Sequence, residues 1–148
     1  ALLGRLKPET GRAHAQLAFL RGRLLDATHE YSPDAEALLT RAVKLDPRNV
    51  AAWNTLAECA WKGGRADLAH GCLREALAVR ANVDSLCQLS MLLRSMGNSG
   101  DAGLVLDSLR LAREAVALDL SDGRAWYVLG NAYLSSYFAP GAGGGGFA

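Results

Sequence analysis

Three histidines, three cysteines and one glycine-rich run are the residues in this chain most able to do chemistry. His14, His29 and His70 would serve as general bases or metal ligands, and Cys59, Cys72 and Cys87 as nucleophiles or ligands, if their spacing gathered them. It does not. The histidines fall in different segments, the cysteines stand 13 and 15 positions apart in apolar helical runs, and no CxxC pair, HExxH, Walker loop or paired-carboxylate pattern occurs. GAGGGG at 141–146 spells GxGxxG, but it follows a helical run rather than a strand and no helix opens after it, so it reads as a flexible insertion. The expectation is a non-enzymatic chain with no catalytic residue, metal or cofactor. Its cysteines are expected to be small buried hydrophobes of a reducing compartment.

Charge narrows the partners. Lys plus Arg number 16 and Asp plus Glu 15 in 148 residues, for a net charge of +1. Strong phosphate binders need many uncompensated cations, so any nucleic-acid contact has to be local. The amino-terminal quarter holds Arg5, Lys7, Arg12, Arg21 and Arg23 against Glu9 and Asp26, which fits either such a patch or a solvated helix face. No apolar run approaches the roughly 18 residues that cross a bilayer, and no membrane partner is expected. Residues 1–7 read as the end of an earlier helix, and the chain as an excerpt of a longer protein.

The elements that must position a partner are all helical. Ala, Leu, Arg and Glu dominate, there is no Ile, and no stretch alternates apolar with polar. Punctuation predicts helices over 12–27, from Pro33 (capped by Ser32) to Leu45 before LDP, then 50–62 ending at Gly63 and Gly64, then 66–80, 83–95, 104–118 and 123–137. They repeat in pairs: REAVALDL at 113–120 overlays TRAVKLDP at 40–47, and AWYVLGNAYL at 125–134 sets Trp126, Leu129, Gly130 and Tyr133 at spacings of three, one and three. That is the first half of the tetratricopeptide pattern. Trp126, Leu129 and Tyr133 share a helix face and are expected to fill a partner helix's groove, with Gly130 permitting close approach. The predicted fold is all-α, a right-handed tetratricopeptide superhelix (α-α solenoid) of three full helix pairs plus the first helix of a fourth. Its expected parts are the end of a preceding helix and connector at 1–14, repeat units at 15–49, 50–82 and 83–122 (the last with an insertion near MGNSGDAG), a lone helix at 123–138, and a Gly-rich insertion at 139–148.

Several segments are more distinctive than the repeat requires. YSPDAEALLTRAVKLDP, AWNTLAECAWKGG, LAHGCL, LSMLLR and DGRAWYVLGNAYLSSYF, in that order between about 20 and 138, resemble the tetratricopeptide repeat protein 5 (Strap) family. The resemblance implies an adaptor whose helical array is followed by a small β-barrel of the oligonucleotide/oligosaccharide-binding type. Such adaptors are linked to p300-type transcriptional coactivation and to tubulin autoregulation. In the latter, the protein binds ribosomes making tubulin, grips the nascent tubulin peptide and recruits downstream protein adaptors that lead to message decay. The implied localisation is cytoplasmic and also nuclear, with nucleic acid entering only as ribosomal RNA.

In such arrays the first helix of each pair lines the concave side. The positions that fall there include Asn54, Trp61 and Lys62 in the second unit, Cys87, Met91 and Arg94 in the third, and Tyr127 and Asn131 in the fourth. Arg94, in LSMLLR, lands on the family's peptide-gripping Arg, a role that suits a planar guanidinium fork. Asn54 and Asn131 either anchor a ligand backbone or satisfy neighbouring helix ends, and Trp61 either stacks on ligand or folds over the next helix. Arg41 and Lys44 match ribosome-facing basic positions, though a solvated helix face explains them equally. The alternative function is a scaffold subunit of a larger complex, of the p300-type coactivator or cytoskeletal kind.

Overall fold

The computed structural model describes residues 8–139, which form seven helices: α1 (Pro8–Leu25), α2 (Pro33–Leu45), α3 (Val50–Lys62), α4 (Ala66–Val79), α5 (Val83–Gly97), α6 (Ala102–Leu118) and α7 (Gly123–Phe138). The expected preceding helix at 1–7 and the glycine-rich run at 141–146 lie outside the described residues. Helices α1–α4 make one compact unit and α5–α7 another. Within them α1 packs on α2, α3 on α4, α5 on α6, and α6 and α5 on α7.

Five helix starts have a local cause. Ser32 accepts a hydrogen bond from the Ala35 amide (3.2 Å), as predicted, and Asn49, Asn82, Asp101 and Asp122 cap α3, α5, α6 and α7 in the same way. Such caps satisfy amides that lack an intrahelical partner, at about 1 kcal/mol each. Gly64, with φ +75°, turns the chain after α3.

Small residues let the helices approach. In α2 and α4 the pattern small, Leu, small recurs as Ala35, Leu39, Ala42 and as Ala69, Leu73, Ala76, all fully or almost fully buried. A Cβ built on Gly22 of α1 would stand 2.8 Å from Leu39 Cγ, so this glycine sets the α1–α2 separation. In the second unit Ser90 of α5 donates to the Ser108 carbonyl of α6 at 2.8 Å inside a closed core, which satisfies groups that would otherwise be buried unpaired.

The structure departs from the sequence-based expectation in three places. α1 covers Pro8–Leu25, so residues 8–14 are helix instead of connector. Trp126 is half exposed among the described residues rather than sunk in a groove, and its indole N–H bonds the Leu120 carbonyl, which holds the ring over the preceding turn. Nothing lies within 4 Å of a Cβ on Gly130, so the close helix approach expected there does not occur among the described residues.

Candidate partner-binding face

In the first unit the predicted groove residues are mostly engaged by their own neighbours. Asn54 is buried and bonded within the protein. Lys62, at the end of α3, donates to the carbonyls of Asp26 (2.7 Å) and Thr28 (3.0 Å) and pairs with the Asp26 carboxylate at 3.2 Å. Its ammonium thereby caps the carboxyl end of α1, where the helix dipole favours a cation. Trp61 is half buried beside it. Burial first, then the negative Asp26, pushes the Cys59 thiol up to about 11, and burial pushes Cys72 to about 11 as well. These thiols are protonated, poor nucleophiles and pack as small apolar groups, as expected.

The second unit leaves more of its face open. Arg124 at the start of α7 pairs with Asp84 at the start of α5 (3.2 Å), tying the two helices side by side. Just under one turn on, Cys87 is fully buried and does not line the face; α6 and α7 pack on α5, and Arg124 and Asp122 lie near its thiol. Met91 and Arg94 follow, both half buried. Arg94 has no ion pair or hydrogen-bonded side-chain partner among the described residues. On α7, Tyr127 is 69% exposed, and Asn131 donates its side-chain amide to the Tyr127 carbonyl at 3.1 Å.

Beyond Arg94 the carboxyl ends of α5 and α7 enclose a pocket of about 250 Å³ lined by Gly97, Asn98, Val105, Leu134, Ser135 and Phe138. On α2, Arg41 and Lys44 are exposed and have no ion pair among the described residues. Among the described residues the face of α5 and α7 presents the Arg94 guanidinium, the exposed Tyr127 phenol, the Asn131 amide and an apolar recess. The Asp26–Lys62 and Asp84–Arg124 pairs join residues 36 and 40 apart, with no local spacing signal to disclose them.

Paired helices with this register of small and bulky residues are the tetratricopeptide-repeat fold. The family model described as Tetratricopeptide repeat matches residues 33–92. Over 135 residues the chain is 49% identical to Tetratricopeptide repeat protein 5 of Mus musculus, covering 89% of this chain and 31% of that protein. The Bos taurus protein of the same name is 50% identical over 133 residues, covering 88% of this chain and 30% of the relative. The chain is thus a relative of Tetratricopeptide repeat protein 5 along most of its own length, and spans about three-tenths of those curated relatives. Among solved structures, the Assembly Chaperone of RpL4 (Acl4) superposes with a TM-score of 0.59 at 21% identity, covering 86% of this chain and 48% of that one. At that identity the likeness speaks to the fold alone.

Proposed function

We propose that this segment belongs to a ribosome-associated adaptor that reads the amino terminus of nascent tubulin, with Arg94 gripping an acidic side chain of the peptide. The observation that carries the reading is Arg94 itself. It sits half buried on α5 with its donors uncommitted, on a face that also presents Tyr127 and Asn131. A guanidinium in that state is costly to leave unpaired and well placed to hold a carboxylate through two parallel N–H···O bonds. The relationship to Tetratricopeptide repeat protein 5 supports it, together with the resemblance of LSMLLR to that family, which implies a peptide-gripping Arg at this position. Arg41 and Lys44 serve as electrostatic contacts to ribosomal RNA, and their contribution falls as salt rises. The adaptor works in the cytoplasm, with a nuclear population as a further part of the proposal.

Co-sedimentation of the full-length protein with ribosomes translating tubulin tests this. Arg94→Ala should lose recovery on those ribosomes, and Arg41→Glu with Lys44→Glu should lose recovery on all ribosomes. Unchanged recovery of Arg94→Ala counts against the assignment.

A scaffold role in a larger assembly has its own observation. Leu17, Leu20 and Leu24 form an exposed stripe on α1 at spacings of three and four. Constant co-purification with one fixed set of subunits, independent of translation, would favour that reading.

A further inference from the structure

We draw no further inference here: the strongest candidate, the cavity of about 290 Å³ beside the carboxyl end of α1 lined by Arg23, Asp26, His29, Thr55, Glu58 and Lys62, carries nothing, because the Lys62 ammonium already holds its Asp26 carboxylate, whose remaining oxygen is sealed from solvent, and nothing in the structure shows what would occupy it.

Discussion

Trp126 donates its indole N–H to the carbonyl of Leu120 at 2.9 Å, and Trp53 makes the same bond to Pro47 at 2.8 Å. Each tryptophan thus reaches back six residues over the turn that precedes its helix. The two turns match further: Asp46 and Asp119 each accept from the amide two residues on, and Asn49 and Asp122 cap the helix that follows.

Trp126→Ala should therefore cost about 1–2 kcal/mol, the sum of one hydrogen bond and a partly buried ring, rather than the larger penalty of emptying a core. Trp126→Phe should recover part of it. Urea unfolding of both variants checks this, and a loss above about 4 kcal/mol would mean that the ring is buried.

Lys62→Met leaves the Asp26 carboxylate 5% exposed without its cation. Breaking a buried pair from one side typically costs about 3–5 kcal/mol. The expected result is a loss near the lower figure, because Glu58 also shares the ammonium, with faster amide exchange at residues 26–32. Exchange confined to another segment would contradict the clamp.

Two glycines should respond oppositely to alanine. Gly22→Ala drives a methyl into Leu39 and should destabilise by about 1–3 kcal/mol, whereas Gly130→Ala meets open space in a helix and should be neutral or stabilising by up to about 1 kcal/mol. Thermal unfolding of the pair settles the comparison.

The helix pairs were legible in the sequence because short-range signals specify them: Ser32 before Pro33, Gly63 and Gly64 after Lys62, and alanines at helical spacing all act within one turn. The binding face was legible only in part. Position in the repeat selected Arg94 and Tyr127, which the structure leaves available, but it also selected Cys87, which α6 and α7 bury, and Lys62, which Asp26 claims. Those outcomes depend on residues some 36 to 40 positions away, which periodicity does not see.

The buried thiols give a pH dependence with a definite sign. Cys59 and Cys72 hold their protons up to about 11 when folded, against an ordinary value of 9.0. Between those values the unfolded chain loses protons that the folded chain keeps, so the thiol contribution is full below pH 9 and declines as pH rises towards 11. Native-state alkylation should be slow at pH 8 and should accelerate only near pH 11. Rapid labelling at pH 8 without unfolding would show the thiols to be accessible.

The most direct test of the central claim places a photo-reactive group on the face itself. Tyr127 is an exposed aromatic that benzoyl-phenylalanine replaces with little disturbance, and Leu68, exposed on α4, provides a control position. On ribosomes translating tubulin, the full-length protein carrying the probe at 127 should crosslink to the nascent tubulin chain, and the probe at 68 should not. Crosslinks to the nascent chain from 68 but not from 127, or from neither, would contradict the account.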